Sequence, residues 1–256
     1  MVRDQGHLLG GFHTRGYLPH LKHEGGSYFV TFRLADTLPK DVLDRFRHER
    51  ETILARLSTP GRVLSRDEHR RLREFYSERI DAYLDAGHGE CWLRRPEIAE
   101  QVCGALRYFD GQRYDLHAWV VMPNHVHAVL TPREQYTLSA ILHSWKSFTA
   151  HEANRLLQRV GQHFWEPEAY DHLVRDEEEF SWYGQYTINN PVAAGLCEKP
   201  EDWPYSSAYR ASAATAVATA VATAVAQASG LHVPQASRLR VAPESQPRPE
   251  RDARQP

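Results

Sequence analysis

Residues 114–131 carry the feature that most constrains the fold of this chain. Apolar and polar side chains alternate there with a period of two, through 114–122 and again through 125–131. The two runs are separated by Pro123 and Asn124, which are residue types that favour tight turns. The pattern therefore predicts two antiparallel strands joined as a β-hairpin.

The flanking sequence predicts the remaining elements of a small α+β domain. Residues 27–34 and 170–174 are rich in aromatic and β-branched residues and predict strands. Helices are predicted from Pro96 to about residue 110, from Thr137 onward, and after residues 175–179, with Asn190 and Pro191 ending or kinking the last one. The resulting β-α-β-β-α-β order predicts a ferredoxin-like antiparallel sheet with helices packed on one face.

Composition divides the chain into three parts. Residues 1–24 are predicted to be an N-terminal arm, and residues 25–210 the domain itself, with a helical insertion at 40–96 that has apolar stripes in 40–57 and 65–86. Residues 211–256 consist of Ala-Thr-Ala-Val repeats followed by Pro, Arg, Gln and Ser. A segment of this composition predicts a mostly disordered tail.

Charge and cysteine content narrow the possible functions. The formal net charge is −2, so any nucleic-acid binding must come from a local basic or aromatic surface rather than from bulk charge. The sequence has no long apolar run, which predicts neither a membrane span nor a signal peptide. Cys91, Cys103 and Cys197 are widely spaced and odd in number, which argues against a disulfide framework and favours a cytoplasmic location.

The second strand of the predicted hairpin carries His125 and His127. Side chains alternate along a strand, so both histidines point to one face while Val126, Ala128 and Leu130 point to the other. Their positions are about 7 Å apart along the strand, and two imidazoles at that spacing can share one metal ion. The alternative is two ordinary histidines in a chain that has 15 of them.

The last predicted helix carries Tyr186 and, four residues later, Asn190, which share one helical face. A tyrosine with its ordinary pKa of about 10 is a weak nucleophile, and a neighbouring cation would help it to attack a phosphate. Asn190 could add an amide oxygen to Mg²⁺ or Mn²⁺. The alternative is that Tyr183 and Tyr186 are simply core aromatic residues.

Several stretches in this order resemble the single-tyrosine HUH transposases, and more closely the bacterial REP-associated tyrosine transposases. They cover most of residues 25–210 and comprise residues 29–36, 118–127, 143–147, 170–176, 186–195 and 202–207. Residues 40–96 and the Ala/Thr-rich tail depart from the compact members of that family. The resemblance as a whole is far more specific than any one of its motifs.

The resemblance implies a DNA-cleaving and strand-transferring enzyme in which Tyr186 forms a covalent 5′-phosphotyrosine link and leaves a free 3′-OH. It also implies a divalent metal held by His125, His127 and Asn190, and a single-stranded DNA substrate that contains a small hairpin. Such a transesterification conserves the phosphodiester energy and needs no ATP, in agreement with the lack of a phosphate-binding P-loop motif. The enzyme could act as a monomer or as a homodimer that supplies the tyrosine in trans.

Three further residues are weaker DNA-binding candidates. Lys146 could contact a phosphate or be an ordinary solvated lysine, and His172 and Arg175 could touch DNA or only pack locally. His88 and Cys91 lack partners at the spacing of a zinc site, which we therefore reject.

The sequence is also compatible with two other functions. One is a module that binds hairpin DNA or RNA without performing chemistry on it. The other is a metal-dependent hydrolase acting through activated water, which is less favoured because no Asp or Glu accompanies the histidine pair.

Overall fold

A computed structural model describes residues 12–15, 18–21, 25–39, 41–42, 44–45, 48, 80 and 82–210 of the chain. Two short strands, β1 (Phe12–Arg15) and β2 (Leu18–Leu21), form a two-stranded sheet. The main sheet has four antiparallel strands, β3 (Tyr28–Arg33), β4 (Tyr114–Val121), β5 (His125–Pro132) and β6 (Tyr170–Leu173). Their order across the sheet is β4-β5-β3-β6, which is the ferredoxin-like arrangement that the sequence predicted.

Two helices, α1 (Pro96–Tyr108) and α2 (Leu138–Leu156), complete the β-α-β-β-α-β order. Helix α1 begins with Pro96, whose fixed φ suits a first turn, and α2 begins after Thr137, whose hydroxyl accepts a hydrogen bond from Ala140 N. Both helices bury their apolar side chains against one face of the sheet. That face is built from alternate residues of the central strands, among them Val30, Phe32, Val126, Ala128 and Leu130.

A third helix, α3 (Glu177–Ala193), packs on the opposite face of the sheet, against Phe29 and Val129. The prediction of helices on one face is therefore correct for α1 and α2, while the helix after the last strand covers the other face. Helix α3 continues through Pro191 to Ala193, so Asn190 and Pro191 do not end it, and the alternative of a kink at this point stays a prediction. Proline removes one hydrogen-bond donor, but a single missing bond near a helix end is tolerated when packing holds the turn.

The hairpin between β4 and β5 matches the sequence prediction closely. Met122 N donates to His125 O at 2.8 Å, so the chain reverses through Pro123 and Asn124. Leu34 N donates to Asn124 O at 2.8 Å, and Leu93 N donates to Pro123 O at 3.1 Å. The turn is therefore held by neighbouring segments on both sides.

Most of the predicted insertion lies outside the described residues, as does the whole tail at 211–256. Of the insertion, residues 41–42, 44–45, 48, 80 and 82–85 are helical. The strands β1 and β2 lie in the predicted N-terminal arm, where no element was expected. All three cysteines are free. Among the described residues, no helix has both the length and the apolar character needed to cross a membrane.

Candidate active site

His125 and His127 lie on β5 with their side chains on the face that α3 covers. Both are fully buried, and their Nε2 atoms are 3.0 Å apart. Because side chains alternate along a strand, Val126 and Ala128 lie on the other face of the sheet, in the core with α1 and α2. The two imidazoles therefore converge on one point between the sheet and helix α3.

Each histidine is held by a hydrogen bond at its other ring nitrogen. His125 Nδ1 lies 2.8 Å from Asn124 Oδ1, and His127 Nδ1 lies 2.8 Å from Thr31 Oγ1. Thr31 is the residue of β3 that pairs directly with His127 in the sheet. These contacts fix both rings so that the Nε2 atoms, rather than the Nδ1 atoms, face the shared point.

The burial of the two rings keeps them uncharged. Burial lowers the pKa of His125 to about 3, and the neighbouring Asn190 amide opposes that shift only in part. Burial also holds the pKa of His127 well below its ordinary value, and a charge on His125 would lower it further. Both imidazoles are therefore neutral at neutral pH, which is the form that ligates metals.

Tyr186 lies on α3 and packs against this histidine pair. Its ring is edge-on to His127, with centroids 5.5 Å apart, and edge-on to Phe29, with centroids 5.8 Å apart. Trp182, one turn earlier on α3, is 45% exposed and stacks nearly parallel to Tyr186 at 5.1 Å. The tyrosine ring is thus half-buried between the indole and the sheet.

Asn190 lies one turn beyond Tyr186 and beside His125. It is 2% exposed, and its Oδ1 accepts no hydrogen bond from any described residue. A buried oxygen left without a donor costs about 1–3 kcal/mol. Such an atom next to two neutral imidazole rings is a ready ligand for a cation.

The match between helix and strand spacing explains why these residues meet in pairs. Four residues of an α-helix rise about 6.0 Å, and two residues of a strand advance about 6.7 Å. Helix α3 runs antiparallel to β5, so Tyr186 reaches His127 and Asn190 reaches His125. The i, i+4 pair on the helix therefore faces the i, i+2 pair on the strand.

This set of side chains fits a small divalent cation. Two neutral imidazole nitrogens and one amide oxygen suit Mg²⁺ or Mn²⁺, whose remaining positions water or a phosphate oxygen can fill. No group of three or more His, Cys, Asp or Glu side chains suited to a metal occurs among the described residues. Asn190 is therefore needed to make the pair a three-ligand site.

The three weaker candidates do not touch the histidine pair. Lys146 lies on α2, which packs on the opposite face of the sheet, and its Nζ donates to Glu166 O and Pro167 O, both at 2.7 Å. His172 Nε2 lies 3.0 Å from Glu179 Oε2, and Arg175 N donates to the same oxygen. His172 and Arg175 thus help to join β6 to α3, and their contact with DNA stays a prediction.

The part of the chain that carries this site is similar to known proteins. Residues 96–187 match the family model described as "Transposase IS200 like". That range includes the histidine pair and Tyr186, and ends before Asn190. This part of the chain is therefore similar to IS200-like transposases. The expected resemblance to tyrosine transposases is thereby confirmed.

Individual proteins similar to this chain agree with the family match. A REP-associated tyrosine transposase of Escherichia coli (strain K12) is 26% identical over 98 residues, which are 38% of this chain and 56% of the relative. A relative from Haemophilus influenzae is 27% identical over 106 residues, which are 38% of this chain and 60% of that protein. Each match thus spans less than two thirds of the relative's own length.

A solved structure of a REP-associated tyrosine transposase bound to a REP hairpin also aligns with the chain. It covers 77% of this chain and 81% of the other, with 18% identity and a TM-score of 0.39.

Three residues around the candidate site were not predicted from the sequence. Thr31 holds His127 because the two residues pair across β3 and β5, a register that the sequence does not give. Asn124 was interpreted only as a turn residue. Its position directly before His125 could have predicted a contact with that imidazole. Trp182 precedes Tyr186 by four residues, and this i, i+4 spacing could have predicted the stack.

Proposed function

We propose that this chain is a metal-dependent endonuclease and strand transferase for single-stranded DNA, with Tyr186 as its nucleophile. The observation that carries the proposal is the convergence of two neutral imidazoles and the Asn190 oxygen beside the Tyr186 ring. The family match, which covers both the histidine pair and the tyrosine, supports the same conclusion.

The chemistry assigned to Tyr186 is a transesterification. Its Oη forms a bond to phosphorus while the bond from phosphorus to O3′ breaks, and the electron pair leaves with O3′. The phenol gives up one proton and O3′ takes up one, so the step has no net proton change and leaves a 5′-phosphotyrosine with a free 3′-OH. Positioning and charge stabilisation account for catalysis of such reactions.

His125, His127 and Asn190 would hold Mg²⁺ or Mn²⁺ in this scheme. When bound there, the cation would neutralise charge on the attacked phosphodiester. The side chains of the chain itself do the positioning. Trp182 and Phe29 restrict the Tyr186 ring, and burial keeps the imidazoles neutral so that they can act as ligands.

The proposed substrate is single-stranded DNA that contains a hairpin similar to a REP repeat. This proposal rests on kinship, because the relatives of the domain are REP-associated transposases. The free cysteines support the cytoplasm as the place of action.

A covalent-adduct assay tests the proposed chemistry. Labelled single-stranded DNA with a hairpin is incubated with the protein and Mn²⁺ or Mg²⁺, and a denaturant-resistant protein–DNA adduct is expected. Tyr186→Phe should abolish the adduct, and Tyr183→Phe, which alters the tyrosine one turn earlier, should retain it. An adduct that persists in Tyr186→Phe would exclude Tyr186 as the nucleophile. No adduct from the wild-type protein with any metal, despite normal DNA binding, would favour a non-catalytic hairpin-binding module.

A further inference from the structure

Asn124 occupies the turn between β4 and β5 and is completely buried, directly before His125. Its Nδ2 donates to Leu84 O at 2.9 Å and to His88 O at 3.1 Å. Backbone carbonyl oxygens only accept hydrogen bonds, so the amide nitrogen must be the atom that faces them. The chemistry of these partners therefore fixes the orientation of the Asn124 amide, and its Oδ1 faces the imidazole of His125.

This orientation determines where His125 carries its proton. Asn124 Oδ1 can only accept, and it lies 2.8 Å from His125 Nδ1, so Nδ1 must be the protonated nitrogen. A neutral imidazole has one N–H, which leaves a lone pair on Nε2. That atom is the one that faces His127 Nε2 at 3.0 Å.

The two carbonyls that hold Asn124 belong to residues 84–88, at the end of the predicted insertion. The Leu84 side chain is buried, and the carbonyl of Gly87 accepts a hydrogen bond from Cys91 Sγ at 3.2 Å. Gly87 and Gly89 both have positive φ, of 70° and 85°. This segment is therefore a specific turn, stabilised by its own contacts, that presents both carbonyls to the hairpin.

Asp36 fixes the same turn from the other side. Its Oδ2 accepts a hydrogen bond from Glu90 N at 2.8 Å. The backbone of Gly89 lies so close to Asp36 that a Cβ at that position would be 2.8 Å from Asp36 O. Only glycine fits there without displacing the turn.

We propose that Asn124 is a positioning residue that fixes His125 in the Nδ1-protonated tautomer, and that residues 84–88 act on the metal site by holding Asn124. The inference rests on the proposed function, because it treats His125 as a metal ligand. Residues 84–88 precede the histidines by about 40 residues in sequence. In this proposal they take a direct part in presenting the Nε2 lone pair of His125. Outer partners of this kind change metal affinity about 10- to 100-fold.

The tautomer can be measured in the metal-free protein by long-range ¹H–¹⁵N correlation of the histidine rings. We expect His125 to show a protonated Nδ1 and an unprotonated Nε2, and to lose this preference in Asn124→Ala. A His125 ring protonated at Nε2 in the wild-type protein would overturn the proposal. This measurement needs neither metal nor DNA, so its result is independent of whether the proposed function is correct.

Titration with Mn²⁺, followed by calorimetry, tests the link to residues 84–88. Asn124→Ala should weaken Mn²⁺ binding about 10-fold or more. Gly89→Ala should also weaken it, although the added methyl group would meet Asp36 first rather than His125 or His127. Asn189→Ala serves as the control, because that amide is exposed and bonds to Gln185 O of its own helix.

The outcomes of the titration separate the two proposals. Wild-type Mn²⁺ affinity in folded Asn124→Ala would overturn the positioning role. If the wild-type protein binds no Mn²⁺, the metal site of the proposed function fails, and the tautomer of His125 still decides the role of Asn124. Circular dichroism of each variant establishes that it is folded.

Discussion

The ring of Tyr186 lies edge-on to the imidazole of His127, with centroids 5.5 Å apart and an interplanar angle of 68°. This contact joins α3 to β5 of the same chain. One chain therefore brings together the histidine pair, Asn190 and the tyrosine. The face of the sheet left open by α1 and α2 is covered by the helix that carries the proposed nucleophile.

Because these side chains meet within one chain, we expect the tyrosine to act in cis. Tyr186→Phe and His127→Ala should each form no adduct with hairpin DNA, and a mixture of the two proteins should form none either. An adduct from the mixture would show that a second subunit supplies the tyrosine. Gel filtration of the same samples gives the oligomeric state directly.

Removing either histidine should weaken metal binding severely. His125→Ala or His127→Ala takes away one of two converging imidazole nitrogens, and we expect Mn²⁺ affinity to fall by at least about 100-fold, beyond the usual effect of an outer partner. Calorimetric titration measures the change. His117→Ala is the matched control, since His117 lies on the neighbouring strand and bonds to Thr131 Oγ1. A comparable loss in the control would contradict the assigned site.

Trp182 should matter to the reaction rate rather than to metal binding. Its indole stacks on Tyr186 at 5.1 Å, and an aromatic pair contributes about 0.5–1.5 kcal/mol. In Trp182→Ala the phenol ring loses this restraint, so adduct formation should slow by up to about tenfold while Mn²⁺ affinity stays the same. Trp182→Phe should recover most of the rate, because a flat ring is restored. An unchanged rate in Trp182→Ala would show that the indole does not restrain Tyr186 for the reaction.

The Glu179 carboxylate predicts a pH-dependent contribution to stability. Desolvation raises its pKa, but hydrogen bonds from His172 and Arg175 N outweigh that effect and lower the pKa to about 2. A carboxyl group with a lowered pKa stabilises the folded state above its unfolded pKa of about 4.3, and this contribution is lost as the pH falls toward 2.

Glu179→Gln should therefore lower the free energy of unfolding by about 1 kcal/mol at pH 6, after allowance for solvent screening. The difference from the wild-type protein should shrink as the pH approaches 3. Urea unfolding at several pH values measures it. Glu178→Gln, an exposed neighbour, should show no such trend. A difference that stays constant with pH would rule out the carboxylate as its source.

Lys146 should contribute to stability. Burial lowers the pKa of Lys146 to about 8, and its ammonium bonds to two backbone carbonyls. Lys146→Met leaves both carbonyls without this donor, so we expect a loss of about 1–3 kcal/mol in the free energy of unfolding. Hairpin affinity and its salt dependence should not change. A smaller salt slope in the variant would instead indicate the phosphate contact that the sequence suggested.

The sequence by itself determined the β-hairpin, the order of the elements and the shared face of His125 and His127. Period-two alternation is a local property, and it specifies both a strand and the side of the strand on which each residue lies. The i, i+4 spacing of Tyr186 and Asn190 likewise specified one helical face. These conclusions needed no knowledge of what packs against either face.

The tertiary structure decided which faces meet. Strand pairing placed Thr31 beside His127, the turn at residues 84–88 oriented Asn124, and the last helix covered the face opposite α1 and α2. Each of these contacts joins residues far apart in the chain, so no local pattern encodes it. The sequence specified the chemistry available on each element, and packing between distant elements brought that chemistry to one place.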